Sequence, residues 1–210
     1  MRLIILSGYI MMIADFLPLI FFVFKRHLIR EYIYIFLFLA FSFFIQVLTF
    51  TLVKLGYQTI FFGFIYDLIT PLIITLFSIK LFDKRLILTA SYICFTLILC
   101  YLFLIRQSLF FLVISHFYLI AIAITNLFSF LKEKEIAKNM LNLHFNYSIL
   151  IYYAGSLTIF LVFPFLNSNN KSIWIFHNLI ETLSKLIVFV AIWRFSRIQI
   201  NTEFLKNSSD

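Results

Sequence analysis

The sequence predicts an all-α fold: a polytopic transmembrane bundle of seven helices. Three observations predict it. Charged residues make up only 12% of the 210 positions, against about 25% in soluble domains, and the mean hydropathy is +1.05. Apolar residues fall into stretches near the ~20 that a hydrocarbon layer of ~30 Å requires. Lysine and arginine then alternate between rich and poor connections, as they do between the two sides of a membrane.

The expected spans are 3–24, 32–53, 58–79, 86–105, 108–131, 147–166 and 174–194, in a bundle covering 1–197, with 198–210 as a short cytoplasmic tail. Span one follows a single basic residue, Arg2, and holds Asp15 and Pro18 inside its apolar run. It has no small-x-small site before Lys25, Arg26 and His27, so it reads as a retained helix and not as a cleaved signal. Span two places Ser42, Gln46 and Thr49 on one face. Span three does the same with Gly63, Asp67, Thr70 and Ser78, and Pro71 just beyond predicts a kink.

Span four is nearly featureless and should face lipid most. Its Cys94 and Cys100 are separated by ~9 Å of rise and about 240° of rotation, too far apart in direction to bond to each other. Span five is separated from it by Arg106, Gln107 and Ser108 alone, which leaves a six-helix count open. Spans five and six contribute His116, Asn126, Tyr152 and Ser156. The stretch 132–146 between them reads as a solvated helix extension; the alternative is a short interfacial helix carrying Ile136, Met140, Leu141 and Leu143. Asn167 to Lys171, after Pro164, reads as an external turn. The two halves of the chain show no repeat of the kind that builds inverted-repeat transporters.

Orientation follows from charge. One set of connections carries Lys25, Arg26, Arg30, Lys80, Lys84, Arg85, Lys132, Lys134, Lys138, Arg194, Arg197 and Lys206; the other carries Arg2, Lys54, Arg106 and Lys171. Twelve against four predicts an outside N-terminus and a cytoplasmic C-terminus in a bacterial inner membrane. The net charge of +8 reads as anchoring beside anionic lipid. The expected partners are the bilayer and a membrane or cytoplasmic protein, with no nucleic acid, since the basic residues are scattered along short loops. The thirty phenylalanines read as compositional bias and lipid-facing bulk.

Four ionisable groups fall within spans: Asp15, Asp67, Glu181 and Lys185. Each would cost about 2.5–3.5 kcal/mol at a lipid-facing helix centre, so they are expected to face the bundle interior. In span seven His177, Asn178, Glu181, Ser184 and Lys185 form one continuous stripe. Counted from the outer ends, Asp15, Asp67 and Lys185 lie about 12, 9 and 11 residues deep, within ~5 Å of one another along the membrane normal. The expected site is therefore a mid-membrane polar cluster of Asp15, Asp67, Thr70, His177, Glu181 and Lys185. The simplest pairing inside it is Glu181 with Lys185, one turn apart. Three carboxylates facing one ammonium leave at least one of Asp15 and Asp67 protonated or open to water.

Three resemblances bear on function. Glu181, Thr182, Leu183, Ser184 and Lys185, followed by Arg194 and Arg197, resemble the last helix of microbial rhodopsins, and Asp67, Thr70 and Pro71 point the same way. That resemblance implies retinal on Lys185 as a Schiff base, with Asp67 or Glu181 as counterion. The acid-to-proline spacing in span three departs from that family, and span six has no tryptophan. His177 and Glu181, with His116 and Asp67, are similar to the ligand set of seven-helix metal-dependent lipid hydrolases, which implies zinc; that family uses more histidines than this chain provides. Across most of its length the chain resembles small, uncharacterised seven-helix membrane proteins of Bacteroidota. These share an acid and a proline in the first helix, here Asp15 and Pro18, and a tyrosine-acid pair in the third, here Tyr66 and Asp67. That likeness implies no activity. The expected function is non-enzymatic: small-ligand sensing or small-solute handling through the polar site, with output through a partner.

Overall fold

A backbone surrounded by lipid must satisfy its own hydrogen bonds, and apolar runs of this length do so as helices. The computed structural model describes residues 2–57, 60–82, 85–104, 108–132, 140–162 and 172–207. Among them the helices are α1 (Arg2–Phe24), α2 (Arg26–Glu31), α3 (Ile33–Lys54), α4 (Ile60–Phe82), α5 (Arg85–Leu104), α6 (Ser108–Lys132), α7 (Met140–Val162) and α8 (Ser172–Asn207). All except α2 are long and apolar enough to cross a membrane, which gives seven spans.

The helix ends have local causes. Between α1 and α3 the chain turns a corner through α2, where the amide of Leu28 reaches the carbonyl of Lys25 and the amide of Tyr32 that of Leu28, both at 2.8 Å. Leu28 and Tyr32 are buried there, and the Tyr32 ring meets Phe195 of α8 edge-on at 5.4 Å. Burial, and after it the hydrogen bond and charge of Glu31, hold the Tyr32 phenol above its ordinary range. At the end of α3, Gly56 adopts φ 81°. The amide of Tyr57 returns to Leu52 and that of Gly56 to Val53, a Schellman closure that needs the left-handed residue glycine supplies.

Six of the spans form a ring in the order α1, α8, α7, α6, α4, α3, closed by the contact of α3 with α1. The helix left over, α5, packs outside the ring against α4 and α6 and is the least buried of the seven. The ring encloses one core, in which Phe145 of α7 meets Phe38 of α3 and Phe77 of α4 edge-on. A second, small core of Phe95, Leu99 and Phe111 attaches α5, and Tyr92 fastens it by donating to the carbonyl of Leu68 at 3.1 Å.

One expectation changes. The sixth span starts at Met140, seven residues before the expected 147, so Met140, Leu141 and Leu143 belong to its first turn and not to a separate interfacial helix. The helix extension expected over 132–146 is present from Met140 but is not solvated there, since Asn142 and Asn146 are buried in the bundle and hydrogen-bonded. Beyond Arg197, the stretch expected as a short tail is helical as far as Asn207. Ile136 and the turn at 167–171 lie outside the described residues.

Candidate functional site

Because α1 packs directly on α8, the two charged side chains that hydropathy would exclude from a bilayer can neutralise each other. Asp15 Oδ1 lies 2.9 Å from Lys185 Nζ, and both side chains are essentially without solvent contact. The contact is an ion pair at hydrogen-bonding distance. From α3, one turn apart, come Ser42 and Gln46. The ammonium of Lys185 donates to Ser42 Oγ at 2.8 Å and lies 4.9 Å from the centre of the Phe38 ring. The Gln46 amide donates to Glu181 Oε1.

The expected pairing of Glu181 with Lys185 is thus replaced. Lys185 turns across the helix interface to Asp15, whereas Glu181 takes the Gln46 amide and stands 4.0 Å from His177 Nε2. The spacing of one turn permits a local pair, but the arrival of α1 and α3 supplies closer partners. His177 completes this side through its other ring nitrogen, 3.3 Å from the hydroxyl of Ser156 on α7. Just above, Asn178 donates to Ser7 of α1 at 2.9 Å.

Asp67 belongs to the opposite wall. It points to α6, where Ser115 Oγ donates to its Oδ1 at 3.3 Å. Thr70, one turn on, is buried and its hydroxyl has no hydrogen-bond partner. His116 bonds through Nδ1 to the carbonyl of Leu112, leaving Nε2 unpartnered against the rings of Tyr153 and Phe160. The two walls meet through tyrosines: Tyr66, next to Asp67, has its hydroxyl 3.4 Å from that of Tyr153 and stands beside Ser42. The structure therefore brings together Asp15, His177, Glu181 and Lys185. It leaves Asp67 and Thr70 in a neighbouring group.

Prolines follow both acids by less than a turn and a half. Pro18 and Pro71 lie inside α1 and α4, and a proline removes the amide that would bond the carbonyl four residues before it. For Pro71 that carbonyl belongs to Asp67, and for Pro18 to Ala14. Each acid therefore sits where the helix's own ladder is interrupted.

Toward the opposite membrane face lies a second polar region, made only of neutral groups. The amide of Asn126 on α6 donates to Ser78 Oγ at 2.8 Å and to Asn146 Oδ1 at 2.9 Å, and Asn146 donates to the carbonyl of Asn142 at 2.8 Å. Thr75 and Tyr118 share a hydrogen bond of 3.0 Å one turn nearer the centre. Asn146, Ser115, Tyr153, Thr75 and Tyr118 were not among the residues the sequence singled out. Asn146 carried a usable signal in its spacing of four from Asn142.

The zinc reading needs His177, Glu181, His116 and Asp67 in one place. Among the described residues no three histidine, cysteine, aspartate or glutamate side chains converge on a metal position. His116 and Asp67 stand on the other wall, so the donor set that reading requires is not assembled. For the rhodopsin reading, the carboxylate paired with Lys185 is Asp15 of the first span, not Asp67 or Glu181. Comparison with protein-family models, curated proteins and solved structures gives no match to this chain.

Proposed function

We propose that this chain is a membrane protein that senses or handles a small polar solute at the centre formed by Asp15, Ser42, Gln46, His177, Glu181 and Lys185. One observation carries the reading: a buried ion pair contributed by two different spans, with a further carboxylate beside it that has only neutral hydrogen-bonding partners. Burying ions is expensive, and a well-packed apolar replacement is often as stable or more so. Ionisable groups inside a membrane accordingly point to substrate, ion or proton handling. The chemistry suits a zwitterion or small acid: an ammonium for a carboxylate, and carboxylates for an amine.

The excess of basic residues on alternate connections supports an outside N-terminus, a cytoplasmic C-terminus and residence in a bacterial inner membrane. A protein partner would take up any signal. The test is thermal stabilisation of the purified protein by a panel of amino acids, dicarboxylates, amines and sugars, comparing wild type with D15N/K185M. At least one probe is expected to stabilise wild type and not the double variant. A panel without effect, with an unaltered cellular phenotype for E181L/K185M at normal expression, would reduce the cluster to scaffold. All-trans retinal belongs in the panel, because visible absorbance that is lost in K185A would assign the centre to a chromophore.

A further inference from the structure

We propose that Glu181 carries a proton and exchanges it, through His177, with the membrane face at which α8 begins. The inference rests on reading this cluster as the working centre, and it assigns that centre a ligand, the proton.

Charge comes first. Around Glu181 stand Asp15 from α1, Gln46 from α3, Tyr66 from α4, Tyr152 from α7, and His177 and Lys185 from its own helix. One ammonium faces two carboxyl groups in a region without solvent. With both acids ionised and His177 neutral, the cluster keeps an uncompensated negative charge, the arrangement that a low-dielectric interior tolerates least. One proton removes the excess. Asp15 has the ammonium at 2.9 Å, whereas the hydrogen bond to Glu181 comes from a neutral amide. The proton therefore resides on Glu181.

Hydrogen-bond accounting leads to the same place. In this cluster Gln46 Oε1 is a buried acceptor without a hydrogen-bond partner, whereas Asp15 is met by the Lys185 ammonium. An ionised carboxylate only accepts, but a protonated one also donates. A half-turn of the Gln46 amide, which exchanges its oxygen and nitrogen, lets a protonated Glu181 donate to Gln46 Oε1.

The route follows from depth and exposure. His177 lies one turn before Glu181, ~6 Å below the first residues of the span. Its side chain is 15% exposed against 4% for Glu181. Trp174, largely exposed, stands one turn further out with its ring 6.1 Å from that of His177. His177 Nε2 is 4.0 Å from Glu181 Oε2, about 1 Å beyond hydrogen-bond length, so a small side-chain rotation closes the gap. Water at the face protonates the imidazole. The imidazolium N–H bond then breaks as the O–H bond of Glu181 forms, and the reverse sequence returns the proton.

The test is infrared spectroscopy of the purified full-length protein at neutral pH, in the region of the protonated carboxyl stretch. Wild type is expected to show a protonated carboxyl band that is absent from E181Q and retained in D67N. Should E181Q fail to give monodisperse protein, E181D takes its place, and the band is expected to shift in frequency because Glu181 alone has changed. On transfer to heavy water, the isotope shift of that band is expected to be at least tenfold slower in H177F than in wild type, and unchanged in H116F. A spectrum of E181Q identical to wild type, or no band in D67N, overturns the protonated state. Wild-type exchange in H177F, or equal slowing in H116F, overturns the route. Because no solute is needed, failure here leaves the solute-binding reading standing, and failure of the solute panel leaves this one standing.

Discussion

Around Asn126 the bundle joins α4, α6 and α7 with neutral groups, and Ser78, Asn126 and Asn146 each find a partner of ordinary geometry. Around Lys185 it joins α1, α3 and α8 with charges, and Gln46 Oε1 is left without a hydrogen-bond partner. Both regions hold helices together across a lipid-filled environment. Helix pairs in membranes gain about 0.6 kcal/mol from an average interhelical hydrogen bond, so the neutral region supplies adhesion at little risk. The ionic region is a poor adhesive by comparison, because its gain depends on both partners being present. That asymmetry is what makes the ionic region the candidate for a role other than adhesion.

The largest test of this contrast is removal of one ion-pair partner. K185M leaves Asp15 buried without its cation and is expected to lower stability by about 3–5 kcal/mol, with D15N/K185M recovering most of the loss. Thermal unfolding of the detergent-purified variants measures both, and equal melting of K185M and wild type would erase the distinction between the regions. Next comes N126A, which removes two interhelical bonds. A loss of about 1–3 kcal/mol is expected, with solute binding of the folded protein unchanged; impaired binding would mean that the neutral region is not merely adhesive.

A smaller effect is expected at Gly155, where a Cβ would meet Ile180 Cγ2 at 2.9 Å and Cδ1 at 3.0 Å. The closest atom is the γ-methyl of a β-branched side chain that is stiff about χ1 in a helix, so G155A should cost about 1–2 kcal/mol, the lower half of the overpacking range. Because Ile180 adjoins Glu181, the same variant tests whether the α7–α8 spacing sets solute affinity. The smallest effect is predicted for I87A on the exposed face of α5. A change within about 0.5 kcal/mol is expected, and a larger one would mean that α5 is covered by something other than lipid.

Much of the fold was legible because lipid imposes a simple rule on sequence. Apolar runs and the spacing of the polar stripe on α8 suffice to place seven helices and to identify which face of the last one turns inward. The start of α7 was misread for the same reason: hydropathy treats Asn142, His144 and Asn146 as residues that want water. It has no means of knowing that Asn126, twenty residues earlier, satisfies Asn146 inside the bundle. In the candidate site, the members on α8 and α1 could be named, but not who pairs with whom. Local spacing suggests Glu181 for Lys185, whereas the observed partner lies 170 positions away on α1, a choice made by which helices become neighbours. Asp67 and Thr70 shared a depth with the cluster and still face another helix, because depth fixes a layer of the membrane and not an azimuth around the ring.

The length of α8 has a mechanical consequence. It is one unbroken helix from Ser172 to Asn207, while its membrane-crossing part ends at Arg197. The ten helical residues beyond that segment add ~15 Å of rise. The same rod that holds Lys185 and Glu181 thus runs on beyond the crossing segment, and a tilt of about 10° pivoting at Lys185 would sweep its end through ~6 Å, given ~33 Å of helix between them. An event the size of one proton or one small molecule could in this way be read at a distance as displacement.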